Sequence, residues 1–225
     1  QIWFSFYTVL FISLPFLAKI APVLSDNLEL KGLDDRTKEI LFGSLLGDGQ
    51  MEWGPRSKNA RFGFTQSEKK MGYFLSILED LASICTGHHW DYSYFDKRTG
   101  NTYTTLRFWS KALPELNELY IAFYNWKEKA VPMDLSLLTP LALAHWIMQD
   151  GSLGGSGGLY LCTDGFTHAD VVRLSKYLME RYHIKCSLHK AGKNFRIYVW
   201  TKDVKIVKAI VLPHMHESML YKLGV

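Results

Sequence analysis

The chain has 225 residues, 48% of them hydrophobic and 14% aromatic, enough apolar material for one large or two fused small domains and too much for a disordered chain. Twenty-six Lys and Arg against 22 Asp and Glu leave a net charge of +4, which is compatible with a polyanionic partner without demanding one. The three cysteines, Cys85, Cys162 and Cys186, are odd in number and lack CxxC spacing; they support neither a disulfide framework nor a zinc knuckle and suit small buried residues of a reducing compartment.

Residues 1–27 carry no charge before Lys19. Their apolar run of about 18 residues meets the length of a membrane span, but its aromatics and Pro15 are atypical of one and it lacks the basic start of a secretory signal. An arm packed on the following domain is the other reading. From Asp34 or Asp35, which can cap a helix, Ile40, Leu41, Leu45 and Leu46 recur at helical spacing up to "GDG" at 47–49. Short strands are expected at "QMEW" and "ARFGFTQ", then a helix over 67–84 capped by Ser67. A second hairpin joins "HHWDYSYF" to "TYTTLRFWS", and "LPELNELYIAFYNW" predicts a third helix. Pro132 marks a connector over 129–138.

The pattern then restarts. "TPLALAHWIMQ" offers Thr139 as N-cap and Pro140 at the first helical position. A glycine-rich hairpin, a helix capped by Thr167, a hairpin over 184–201 and a closing helix in "DVKIVKAIV" follow. With Asp48 set on Asp150, Leu41 falls on Leu143, Gly49 on Gly151 and Met51 on Leu153; "FTQ" at 64–66 answers "CTD" at 162–164, and "RFWSK" at 107–111 answers "YVWTK" at 198–202. Three blocks in one order indicate an internal duplication, with a first repeat over 28–128 and a second over 139–225.

Gly43 and Gly47, four residues apart, share a helix face that lets another backbone approach closely, and the repeat's own helix is the natural partner. Side by side, the two helices would bring Asp48 and Asp150 together at their negative ends. Two carboxylates so placed repel unless a cation lies between them, and Mg²⁺ suits oxygen donors of this kind. "HH" at 88–89 and "HMH" at 214–216 lack a third ligand at useful spacing and read as surface or groove histidines.

Two helices that end in acid-glycine in "LFGSLLGDG" and "LAHWIMQDG", each followed by two strands, a helix and two strands, resemble the monomeric LAGLIDADG homing endonucleases of organelle introns. The resemblance covers about residues 30–225 and departs at His145 and Trp146, which stand where the first copy has Gly43 and Ser44. It implies an α+β fold of two pseudo-symmetric αββαββα repeats, each with a four-stranded antiparallel saddle-shaped sheet on the DNA major groove. It further implies Mg²⁺-dependent double-strand cleavage by a monomer, with RNA maturase activity for the host intron as the alternative. On that basis Asp48 and Asp150 bind metal with the Gly47 and Gln149 carbonyls, Lys129 and Lys222 are the basic residues near each centre, and Gln66 and Asp164 hold water-pocket positions. Strand alternation assigns Tyr103, Thr105, Arg107, Trp109, Asn194, Arg196, Tyr198 and Trp200 to DNA, with Gln50, Glu52, Arg61, Lys185, Ser187 and His189 as further candidates. Residues 1–27 would then be exon-derived and the origin mitochondrial, with a plastid as the alternative.

Overall fold

The computed structural model describes residues 28–126 and 128–225, so residues 1–27 and the readings placed on them lie outside the described residues. Among the described residues no helix is long and apolar enough to cross a membrane.

Asp34 accepts a hydrogen bond from the Thr37 amide (2.9 Å) and starts α1, Asp35–Leu46. Gly47 ends it, and β1 (Gln50–Glu52) pairs with β2 (Arg61–Ser67). Next come α2 (Met71–Asp80), β3 (Trp90–Asp96), β4 (Asn101–Trp109) and α3 (Asn117–Phe123). A small ribbon of β5 (Tyr124–Asn125) and β6 (Glu128–Lys129) closes the first repeat. The second repeat runs α4 (Pro140–Asp150), β7 (Gly151–Leu153), β8 (Leu159–Leu161), α5 (His168–Tyr182), β9 (Cys186–Ala191), β10 (Asn194–Val199) and α6 (Val204–Val211), then a 3₁₀ turn over Glu217–Leu223. The expected caps are in place: Thr139 accepts from the Ala142 amide and Thr167 from that of Asp170.

Both sheets are antiparallel and share one strand order, β1-β2-β4-β3 and β7-β8-β10-β9, so the chain is an α+β fold of two αββαββα repeats. Alternation along the strands buries Phe62, Phe64, Leu106 and Phe108 in the first sheet and Leu159, Leu161, Ile197 and Val199 in the second. These residues join α1 and α4 in one hydrophobic core that spans both repeats.

The two repeat helices lie parallel. Glu39 accepts a hydrogen bond from the Thr139 hydroxyl (2.6 Å) near their starts, Gly43 meets Ala142, and Gly47 meets Gln149 near their ends. At Gly43 a Cβ would sit 2.1 Å from the Ala142 carbonyl oxygen, so the glycine is required by the close backbone approach.

Four expectations need correction. Ser67 caps a 3₁₀ turn (Glu68–Lys70), and the α-helix ends at Asp80 because the chain beyond it is drawn to the sheet, where Cys85 bridges Ser110 and Ile84 accepts from the Lys111 amide (2.9 Å). The third helix stops at Phe123 because Tyr124 and Asn125 become extended and reverse through Trp126, whose φ is 50°. Lys129, placed at the start of a connector, is strand-paired with Tyr124 and belongs with the first repeat. The repeat alignment also slips. Gln50 pairs with Gly63 and its counterpart Ser152 with Tyr160, so Gln66 is matched by Thr163 and not by Asp164. Likewise Gly63 faces Trp109 and Tyr160 faces Tyr198, which makes Tyr198, not Trp200, the partner of Trp109.

Candidate active site and nucleic-acid face

The parallel helix pair brings the ends of α1 and α4 together, with Asp48 exposed and Asp150 half-buried. Burial, with the Asp48 charge adding to it, pushes the Asp150 carboxyl up to about 6 despite the lysines nearby. Gln66, itself buried, donates from Nε2 to Asp48 Oδ2. Its register counterpart Thr163 instead donates to the Phe195 carbonyl (2.6 Å). Asp164 points elsewhere and forms a two-pronged pair with Arg196, with Nε 3.0 Å from each carboxylate oxygen.

Each acid is flanked by a lysine in the same way. Lys129 Nζ donates to the carbonyls of Gly47 (2.9 Å) and Gly49 (2.7 Å), the residues on either side of Asp48. Lys222 Nζ donates to the carbonyls of Gln149 (3.3 Å) and Gly151 (2.8 Å), on either side of Asp150. Burial lowers both ammonium groups, Lys129 to about 8, although Asp48 and Asp150 oppose the shift.

His145 and Trp146 do not keep the helices apart, because the seam on α4 is formed by Ala142 and Gln149. His145 turns toward α2, where its Nδ1 lies 3.0 Å from the Tyr73 hydroxyl, and Trp146 is fully buried. Burial drops the His145 pKa to about 3, so the ring is neutral. Gln149 was expected to act through its carbonyl alone, yet its side chain also crosses the seam. Its Oε1 accepts from the Asp48 amide (2.8 Å), and Nε2 donates to Ser44 Oγ and the Tyr73 hydroxyl, each at 3.0 Å.

Two carboxylates, one of them raised by burial and by the charge of the other, fit a hard divalent cation by donor chemistry. Among the described residues no group of three or more His, Cys, Asp or Glu could hold a metal ion, so backbone oxygens and water would complete such a site. Cys85 is buried, and Cys162 and Cys186 are half-buried. His214 and His216 line a cleft of about 320 Å³ between α2 and α4, together with Glu79, Asp80 and His145, and among the described residues these side chains do not converge into a group of three that could hold a metal ion.

Strand register settles which side chains share the faces turned away from the helices. On the first sheet these are Gln50, Glu52, Arg61, Tyr103, Thr105, Arg107 and Trp109, as expected from alternation. Arg61 pairs with Glu52 and stacks over Trp109 at 4.3 Å, while the Trp109 ring lies on Gly63, where a Cβ would stand 2.5 Å from it. On the second sheet Asn194, Arg196, Tyr198, Ser187 and His189 share that face, and His189 stacks on Tyr198 at 4.6 Å. Lys185 and Trp200 lie just beyond the strands, joined by a backbone hydrogen bond of 3.0 Å. Sequence reading missed Trp90, Tyr92 and Tyr94, which register puts beside Arg107, Thr105 and Tyr103. The signal was present in "WDYSY", where aromatics occupy alternate positions.

Two inward helices ending in acids, joined to twin four-stranded sheets whose outer faces carry aromatic and basic side chains, define a DNA endonuclease fold built from two motifs in one chain. The model of the LAGLIDADG DNA endonuclease family matches residues 38–207, and the chain belongs to that family. It is 31% identical over 214 residues to the cytochrome b mRNA maturase bI2 of Debaryomyces hansenii, covering 92% of this chain and 81% of the relative. It is 32% identical over 239 residues to that of Saccharomyces cerevisiae, covering 97% of this chain and 56% of the longer relative. The structure of the homing endonuclease I-WcaI bound to its DNA recognition sequence superposes with a TM-score of 0.79 at 25% identity, over 85% of this chain and 87% of that one.

Proposed function

We propose that the protein is a homing endonuclease acting as a monomer on a long double-stranded DNA site, cutting both strands with a divalent cation, Mg²⁺ by preference. The observation that carries this reading is the doubled centre, two acids side by side, each with a lysine on both flanking carbonyls. Asp48 and Asp150 would hold the ions with the carbonyls of Gly47 and Gln149. The ions would supply charge neutralisation at the scissile phosphates and a more acidic bound water. Gln66 fixes the Asp48 carboxylate through its amide. Lys129 spends two donors on carbonyls and has a third for a phosphate oxygen or for the attacking water. Its pKa near 8 lets it hold or release that proton close to neutrality. Lys222 stands in the same relation to Asp150, and this matched pair of centres supports one acid for each strand.

The test is selection of cut sites from a randomised duplex library with Mg²⁺, beside Asp48→Asn and Asp150→Asn. Each variant is expected to leave one strand whole. Undiminished double-strand cutting by both would end the metal assignment. The maturase alternative draws support from the names of the bI2 relatives and from the exposed aromatic stripe of β3, since unpaired bases stack on such rings. Splicing of a host intron transcript in the presence and absence of the protein discriminates the two. Both readings suit an organellar intron, mitochondrial or plastid.

A further inference from the structure

We propose that Gln149 is a positioning residue through which the second repeat sets the acid of the first, so that the two cleavage centres are built unequally. The main chain of Gln149 belongs to the Asp150 centre, where Lys222 holds its carbonyl. Its side chain belongs to the Asp48 centre, where Oε1 holds the Asp48 amide at 2.8 Å. The amide group is oriented by two donor contacts on its other side, to Ser44 and Tyr73. With the Tyr73 oxygen accepting from Gln149, its proton is left for His145 Nδ1, and this buried chain fixes which end of the Gln149 amide faces Asp48.

The arrangement has no mirror image. Gly47, the counterpart of Gln149, has no side chain, and a Cβ there would lie 2.6 Å from Gln149 Oε1 and 2.8 Å from its Cβ. The first repeat therefore keeps a gap that the second repeat fills. Asp48 also accepts from Gln66, whereas the register counterpart Thr163 donates to the Phe195 carbonyl and not to Asp150. The Asp48 centre is tied by side chains from both repeats; the Asp150 centre leans on its lysine.

The consequence for cleavage rests on the endonuclease reading, while the positioning itself does not. Gln149→Met keeps most of the volume and removes the amide; Tyr73→Phe removes one of its two anchors. In the full chain without nucleic acid, hydrogen exchange followed by NMR is expected to show the Asp48 amide losing about tenfold protection in Gln149→Met and less in Tyr73→Phe. On a duplex recovered from the cut-site selection, each strand is labelled separately, and the strand that Asp48→Asn leaves whole is assigned to Asp48. Cutting of that strand is expected to slow about 10–100-fold relative to the other, so that nicked duplex accumulates. Unchanged Asp48 protection, or equal slowing of both strands, overturns the proposal. If the wild-type chain cuts no duplex with Mg²⁺, the endonuclease reading fails and the exchange measurement still decides the positioning. Should Gln149→Met not fold, Tyr73→Phe and Ser44→Ala carry the same measurements.

Discussion

Asp150 binds its proton more tightly in the folded chain than in the unfolded one, because its pKa rises from 3.8 to about 6. A raised carboxyl pKa means that the native state holds more protons between those values, so this group lowers stability as pH climbs from about 4 to about 6 and costs a constant amount above. Asp150→Asn should therefore gain on the order of 1–3 kcal/mol over the wild type at pH 7.5 in the absence of divalent ions, and little at pH 4. Urea denaturation at both values measures the difference between the two proteins, which removes the opposite contribution of His145 because both contain it. A gain of equal size at both pH values would mean that charge is not its origin. The acid pair was legible in the sequence because the motif occurs twice. The unequal surroundings of Asp48 and Asp150 were not, since Gln149, Tyr73 and His145 meet only across the helix seam.

At the scale of elements, the seam between α1 and α4 joins the halves and sets the site at once. Gly43→Ala puts a methyl against the Ala142 backbone, which cannot move as a side chain could, and should cost about 2–3 kcal/mol or more by chemical denaturation. Thr139→Ala removes both the cap of α4 and the hydrogen bond to Glu39, and should cost roughly 1–2 kcal/mol in the same assay. Helix starts were readable because caps act within four residues: Asp34, Thr139 and Thr167 all cap as expected. The ends of α2 and α3 were not, because strand pairing, of Cys85 with distant Ser110 and of Tyr124 with nearby Lys129, overrules the local apolar period. The slip that exchanged Thr163 for Asp164 has a similar origin. Alternation fixes which face a residue takes, but hairpin lengths fix which residue lies opposite, and "FTQ" resembles "CTD" in composition only.

Over the whole molecule, one core runs through both repeats, and Trp146 lies fully buried in the helix at its centre. Neither half keeps its apolar face covered without the other. The chain should accordingly unfold in a single transition, with tryptophan fluorescence and far-ultraviolet circular dichroism coinciding along a urea titration. Two separated transitions would show halves that fold independently. The duplication, the order of elements along the chain and most of the outer sheet face could be read from residues alone. Trp90, Tyr92 and Tyr94 escaped notice because Phe95 also interrupts their alternation, and it is exposed on the opposite face of the same edge strand.

The paired lysines carry one more lesson, about descent. Lys129 reaches its two carbonyls from a two-residue strand, whereas Lys222 reaches the matching pair from a 3₁₀ turn at the far end of its own repeat. The segments that deliver them no longer share a backbone conformation, yet the ammonium groups make the same bidentate contact. Between the two copies the route of the chain differs while the contact is the same. The place to look for common ancestry in the tails of these repeats is the pair of carbonyls being held, not the shape of the segment that holds them.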